Sequence, residues 1–399
     1  MQTLKILFST SFYPPYHLGG DATHVKCLAE ELAKRGHEIH IVHSLDAYRI
    51  KRKNYKTLKP EPEKTNIFIH RIESPLGQID PLMVYALGRS FYVQKKFSEV
   101  ISEVHPNIVH HHNISLLGYS ILKKRESYFS LYTAHDYWLI CPTNNLMRNK
   151  RAICDEKHCY SCAVNSKRLP QLWRQLKSFK NDVKDIDLLI SPSDYVRKKI
   201  LLELKLKSVT LPNFAPSPPE SVNSSHFSNY FLFVGMLEPH KGILNLLNLF
   251  KELKDSSNAM LVIVGGGSLS EYIRNFIKSN SLTEKIIFLG FVNNEKLYSL
   301  YRSALALIIP SIWPENAPMV ALEALSVGTP VLASNYGGLP EIVGKVDSRL
   351  IFNNFSELKE KLLNFSKETF NPSKIREAYK QNFSPAAYVD NYLSIVSSQ

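Results

Sequence analysis

Short apolar runs that end in turn residues alternate along this chain with stretches of helical periodicity. In the first half the apolar runs fall at 4–10, 38–44, 67–72, 108–112, 130–135, 188–192 and 209–211, and helices are predicted between them over 21–35, 84–104 and 195–204. The second half repeats the theme with strands at 230–234, 260–264, 285–289, 305–309 and 330–333. Strand and helix in regular alternation build βαβ units and parallel sheets, so the fold class is α/β. The stretch Pro212-Asn213-Phe214-Ala215-Pro216-Ser217-Pro218-Pro219 holds four prolines in eight residues, which neither a helix nor an inner strand tolerates, and it predicts a linker. The expected domains are 1–212, with a Cys-rich insertion at 138–168, and 213–380. Helices are predicted at 373–380 and 385–397, and the segment 381–399 is expected to pack back on the first domain. Two Rossmann-like, doubly wound domains facing across a cleft is the architecture this implies.

Composition narrows the picture without redirecting it. In 399 residues, 44% hydrophobic and 21% charged, neither disorder nor a fibrous repeat fits. No apolar run approaches the roughly 20 residues that cross a bilayer. The first ten residues look like a buried strand rather than a signal peptide, because the apolar stretch is short and runs into Tyr13-Pro14-Pro15. Five cysteines cannot form a disulfide framework, so a reducing, cytoplasmic setting is expected. The net charge of +13 is one-sided: residues 1–212 carry 33 Lys and Arg against 20 Asp and Glu, and the remainder 16 against 16. Such a field attracts nucleic acid, anionic lipid or phosphorylated substrates, and a merely Lys-rich soluble surface is the plain alternative. The basic residues form no recognisable reading helix, which argues against nucleic acid.

Open parallel sheets bind ligands beyond the carboxyl ends of their strands, so motifs there carry the most weight. Gly19-Gly20-Asp21 follows the first strand and opens a helix, where backbone N–H groups can meet an anion; a tight βα turn is the alternative, and no third glycine makes it a dinucleotide fingerprint. Lys241, in His240-Lys241-Gly242, stands at a helix start and can reach a phosphate as a point charge. The richest stretch is Pro310-Ser311-Ile312-Trp313-Pro314-Glu315-Asn316-Ala317-Pro318, followed by a helix that carries Glu323 among apolar neighbours. A carboxylate there is expensive to bury unless it accepts hydrogen bonds, and a vicinal diol offers two O–H donors; pointing to solvent is the other possibility. His110, His111, His112 and Asn113 close another strand, and alternation separates His111 from the other two, which disfavours a metal triad.

In this order, Gly19-Gly20, Lys241-Gly242, the pair Glu315 and Glu323, and Gly337-Gly338-Leu339-Pro340-Glu341 make the chain resemble the retaining, nucleotide-sugar-dependent glycosyltransferases of family 4, with the GT-B fold. The resemblance implies a hexosyltransferase using a nucleoside diphosphate sugar. By it, Glu323 holds the donor ribose hydroxyls, Glu315 those of the donor sugar, Lys241 neutralises the diphosphate and the Gly19-Gly20 backbone faces it. His135, in Thr133-Ala134-His135-Asp136, matches the family histidine near the reacting centre, so the implied catalytic set is Glu315, His135 and Lys241. Two departures stand out: Met236 replaces a customary Arg, and Asn316-Ala317-Pro318 replaces a glycine-containing tripeptide, leaving Asn316 to offer an amide. No Asp-x-Asp pair ends a strand, so no catalytic cofactor or metal is expected. His112 and Asn113 are expected on the acceptor side. The alternatives are a non-catalytic paralogue serving as a partner subunit and a zinc-containing basic nucleic-acid-binding protein.

Two further expectations concern the first domain. Its basic runs, Arg49, Lys51, Arg52, Lys53, Lys56 and Lys59, then Lys123, Lys124 and Arg125, with Tyr48 and Tyr55 at headgroup level, suggest a lipid-linked acceptor, a polyprenyl-diphosphate glycan, at the anionic inner face of the plasma membrane; a solvated loop is the alternative. Cys141, Cys154, Cys159 and Cys162 lie within 22 residues of polar, weakly periodic chain, where four thiolates can enclose one structural Zn²⁺, with His158 as a substitute ligand; unligated thiols are the alternative. Cys27 is expected in the core.

Overall fold

The computed structural model describes residues 3–52, 64–148, 152–154, 157–219 and 224–398. The chain divides into two compact units, Met1–Leu211 with Val389–Gln399, and Pro212–Tyr388. The hand-over back to the first unit therefore falls inside the helix Pro385–Ser397 rather than at residue 381.

In the first unit the strands are β1 (Lys5–Ser9), β2 (Glu38–Ser44), β3 (Ile67–Ile72), β4 (Ile108–His111), β5 (Phe129–Thr133), the short hairpin β6 (Met147–Arg148) and β7 (Ala152–Ile153), β8 (Leu188–Ser191) and β9 (Ser208–Thr210). Seven of them form a parallel sheet in the order β3-β2-β1-β4-β5-β8-β9. In the second unit β10 (Tyr230–Val234), β11 (Met260–Val264), β12 (Ile286–Gly290), β13 (Leu307–Ile309), β14 (Val331–Ser334) and β15 (Ile351–Phe352) form a parallel sheet ordered β12-β11-β10-β13-β14-β15. Strands buried on both faces need apolar side chains on both, which is why Ile6, Leu7 and Phe8, and Leu261, Val262 and Ile263, run without polar interruption and are fully buried.

Each sheet has one topological switch point. The chain leaves β1 toward β2 and β3 on one side and resumes with β4 on the other; β10 and β13 repeat the arrangement. A crevice opens at the carboxyl ends of such a strand pair.

Three local expectations are corrected. The helix expected over 84–104 is two helices, Ile79–Leu87 and Phe91–Val104, because Gly88 ends the first in the left-handed region (φ 78°) and Ser90 caps the second through Val93 N–H. The Cys-rich segment is not devoid of regular structure: it holds the hairpin β6–β7 and the helix Cys159–Asn165. Tyr48 lies in the core, edge-on to Tyr16 at 5.6 Å, rather than at a headgroup surface.

Candidate active site

In the second unit the switch point is spanned by an ion pair. Lys241 stands in the turn after β10 and Glu315 in the loop after β13, and Lys241 Nζ lies 2.6 Å from Glu315 Oε1. Ser311 Oγ donates to the same oxygen at 2.6 Å. Glu315 is 5% exposed. Burial pushes its carboxyl up, but the Lys241 charge and the hydrogen bonds from Lys241 and Ser311 outweigh that and hold it below the usual glutamate value. The carboxylate is therefore ionised and aimed at the strand ends. Lys241 also lies over the Trp313 ring, 5.1 Å from its centroid.

The loop bearing Glu315 is clamped from β14. Gly338 N–H donates to the Glu315 carbonyl at 2.7 Å. Gly337 has φ 65°, and a Cβ there would come within 2.1 Å of the same carbonyl oxygen, so only glycine allows this approach. Asn316 is buried beside Glu315, and Pro318 caps the helix Met319–Ser326, whose missing N–H costs nothing at that position. Glu323, in that helix, does not simply point to solvent. Tyr301 Oη donates to its Oε2 at 2.9 Å, and burial raises its carboxyl above the usual value against that bond. Met236 is an exposed side chain next to the turn.

In the first unit the switch point gathers a second set. Gly19 (φ 85°) precedes the helix Gly20–Lys34. Asp21 in its first turn accepts from Asn113 Nδ2 at 2.6 Å, joining the ends of β1 and β4. His112 Nδ1 and His135 Nε2 share a hydrogen bond of 2.9 Å, their rings stacked at 5.2 Å, and the His24 ring stands edge-on to His135 at 5.1 Å. Burial depresses every one of these imidazoles: His135 is down to about 4 despite the pull of Asp21, and His112 and His24 lie well below their usual value, each lowered further by its neighbours. All are neutral near pH 7, so one proton serves the His112–His135 bond and each ring fixes the other's tautomer. Burial also pushes the adjacent Asp136 carboxyl up to about 6, against hydrogen bonds from Trp138 N–H and Asn144. His110 continues the row, its ring centroid 4.1 Å from that of His112: its Nε2 bonds Thr133 Oγ1 at 2.7 Å and its ring stacks on Tyr392 at 5.5 Å. His111 turns to the other face and meets Ser9 Oγ at 2.8 Å.

Sequence reasoning missed Tyr301, Ser311 as a hydrogen-bond donor, His24 and the Asp136 shift. None had a motif; only Ser311 and Asp136 sat inside segments already singled out.

The structure lends the zinc expectation no support. Among the described residues no three His, Cys, Asp or Glu side chains come together as a metal-holding group. Cys141 Sγ instead faces Thr143 Oγ1 at 3.2 Å and Cys162 Sγ faces the Met147 carbonyl at 3.6 Å, while burial raises the Cys159 thiol. The hairpin and helix supply the order that a metal was expected to give. Cys27 is half-buried, and burial pushes its thiol up to about 11.

A doubly wound sheet pair with a Lys–Glu couple at one switch point and a histidine row at the other defines the class. Residues 18–215 match the family described as "Glycosyltransferase Family 4" and residues 219–383 the family "Glycosyl transferases group 1". The chain belongs to these family 4-type glycosyltransferases of GT-B fold. Among its relatives is the uncharacterized glycosyltransferase MJ1607 of Methanocaldococcus jannaschii, 27% identical over 347 residues, 85% of this chain and 83% of that one. Sucrose-phosphate synthase from Thermosynechococcus elongatus has the same fold (TM-score 0.72, 17% identity, all of both chains covered). So does HepE from Anabaena, solved in complex with UDP and glucose (TM-score 0.63, 15% identity, 99% of this chain and 100% of that one).

Proposed function

We propose that the protein transfers a hexose-type sugar from a nucleoside diphosphate sugar to a hydroxyl of a glycan or polyprenyl-diphosphate-linked acceptor, with retention of anomeric configuration. The observation that carries this reading is the Lys241–Glu315 pair, buried and spanning the switch point of the second sheet. An ionised carboxylate held there accepts hydrogen bonds from sugar hydroxyls. The ammonium beside it meets the negative charge that develops as a nucleoside diphosphate departs, with the Gly19-Gly20 helix start as a second positive end. Asn316 adds an amide and Glu323, set by Tyr301, takes the ribose diol. Charge stabilisation by these groups makes a catalytic divalent ion unnecessary. In a retaining transfer the acceptor hydroxyl attacks from the face the phosphate leaves and gives it the proton, so no side-chain nucleophile is assigned. Neutral His135, oriented by His112, positions and polarises near the sugar, and Asn113 lies on the acceptor side. The Anabaena neighbour's complex with UDP and glucose supports a nucleotide-sugar donor on this fold. The proposed acceptor lies at the inner, anionic face of the plasma membrane.

The test is a hydrolysis screen across uridine and guanosine sugar donors. Slow release of one nucleoside diphosphate is expected; silence across all of them favours a non-catalytic partner subunit. With the donor in hand, Glu323→Ala should weaken its affinity and Glu315→Gln should mainly lower turnover, each by about 3–6 kcal/mol in kcat/KM for two charged hydrogen bonds lost. Activity within about threefold for both, under ~1 kcal/mol, refutes the assignment.

A further inference from the structure

Part of the basic runs chosen from sequence is committed to ion pairs or lies outside the described residues. Arg49 is paired with Asp46 and Glu73, Lys124 is paired with Asp187 at 2.7 Å, and residues 53, 56 and 59 lie outside the described ones. The exposed apolar side chains are elsewhere. Of nineteen large ones among the described residues, eleven fall in two stretches of the first unit: Leu76, Ile79, Leu82, Met83, Leu87 and Phe91, then Tyr160, Val164, Leu169, Leu172 and Leu176.

The helix Ile79–Leu87 buries Pro81 and Val84 but turns most of its large apolar side chains outward. Its acid, Asp80, is buried and accepts from Ser90 Oγ at 2.7 Å, while Leu82 is 57% exposed and Phe91, just beyond, 88%. The second stretch lies against this helix: Trp173 Nε1 donates to the Tyr85 carbonyl at 3.1 Å, and Arg168 and Arg174 are close enough to act electrostatically on the Tyr85 hydroxyl. Cations outnumber acids around the two stretches. Residues 73–99 and 157–185 together hold ten Lys and Arg against five acids: Asp80 is buried, Glu73 is paired with Arg49, Glu99 with Lys96, and Asp182 and Asp185 lie near Lys123 and Arg125. Leu172 and Tyr160 also line a cavity of about 640 Å³ whose polar wall includes Arg174 and Lys180 together with the ion pair Lys157–Glu203.

We infer that this face, the outer side of helix Ile79–Leu87 with Leu169, Leu172 and Leu176, docks the protein on an anionic lipid bilayer. Apolar side chains that enter the acyl boundary, rimmed by an excess of cations over acids that meets lipid phosphates, are what an interfacial contact needs. An apolar protein partner would not require that excess of cations. The inference locates the membrane contact for the acceptor proposed above, but binding itself needs no catalysis.

The experiment is co-sedimentation of the full chain with phosphatidylcholine vesicles with and without phosphatidylglycerol, alongside sedimentation velocity. Binding is expected only with the anionic lipid and is expected to weaken at high salt. The double variant Leu82→Glu/Leu172→Glu should bind at least about tenfold more weakly, with circular dichroism and solution donor hydrolysis unchanged. Leu363→Glu, an exposed apolar position in the second unit, is the control and should bind as the parent does. Leu87→Glu/Leu169→Glu replaces the first pair if that one fails to fold. No binding by the parent at low salt overturns the inference, as does equal binding by a folded face variant. So does a dimer that the same substitutions dissolve while vesicle binding stays intact. Because donor hydrolysis is read in solution, failure here leaves the transfer reading standing, and the reverse.

Discussion

Replacing Lys241 by Met removes the cation from a buried carboxylate without changing side-chain length much. At 2.6 Å and an effective dielectric of about 20, the attraction lost is about 6 kcal/mol. The carboxylate need not bear that loss, because it can take up a proton. From an ordinary value of 4.5, protonation at pH 7 costs about 3.4 kcal/mol at ~1.36 kcal/mol per pH unit, and that figure caps the charge penalty. At pH 5 the cap falls to about 0.7 kcal/mol. The sign runs as follows for the two proteins. In the parent the folded carboxyl lies below its unfolded value, so its contribution is full above about pH 4.5 and is lost only as pH falls through the folded value. In Lys241→Met burial, the largest influence, is opposed by the Ser311 hydrogen bond but no longer by the Lys241 charge, so the folded value rises above the unfolded one and the deficit is largest at high pH. The second unit of the variant should therefore melt about 7–14 °C below the parent at pH 7, at roughly 2–4 °C per kcal/mol, and about 2 °C below at pH 5. Calorimetry between pH 5 and 8 measures it, with Glu315→Gln and the double variant closing a thermodynamic cycle whose coupling should be about 2–3 kcal/mol. A deficit independent of pH, or coupling under ~0.5 kcal/mol, refutes the reasoning.

The first unit should be the acid-labile one: burial holds His43 and His111 at about 3, so each costs about 2 kcal/mol at pH 5 relative to an unfolded chain that binds protons from 6.5 downward. Stability from these rings is complete above pH 6.5 and lost on acidification, so its calorimetric transition should fall below that of the second unit by pH 5; a fixed gap from pH 7.5 to 5 counts against it. Gly337→Ala should cost far more donor turnover than Gly290→Ala. Both have positive φ, worth about 1–3 kcal/mol of strain, but a Cβ at 337 meets the Glu315 backbone whereas at 290 nothing lies within 4 Å. Equal losses of kcat/KM in the two variants would show that the close approach is irrelevant.

The sheets were legible because a strand covered on both faces cannot hide its composition: Ile6-Leu7-Phe8 and Leu261-Val262-Ile263 admit no other element between turns. The break at Gly88 was not, because apolar periodicity continues on either side and only a left-handed residue interrupts it. In the site, Lys241 and Glu315 could be picked out one by one from their places after strands. That they touch could not, since 74 residues separate them and only the β10–β13 adjacency brings the loops together. Tyr301 was invisible for the same reason, being one helical tyrosine among others until its hydroxyl is seen on Glu323. The cysteine spacing is silent about backbone: the bond from Cys154 N–H to the Leu146 carbonyl extends a hairpin that spacing alone does not encode.

The last helix carries a consequence for biosynthesis. Tyr388 belongs to the second unit, where it packs on Phe214, and Tyr392, one turn later, lies on His110 in the first. On a ribosome the first unit's sheet is therefore complete long before Tyr392 is translated, and the whole second unit is made in between. Until then the His110 ring lacks the stacked Tyr392, while Phe8 stands edge-on to it at 5.6 Å. A nascent chain halted before residue 389 should leave the Tyr392 side of that ring open to a chaperone, and completion of the helix should cover it.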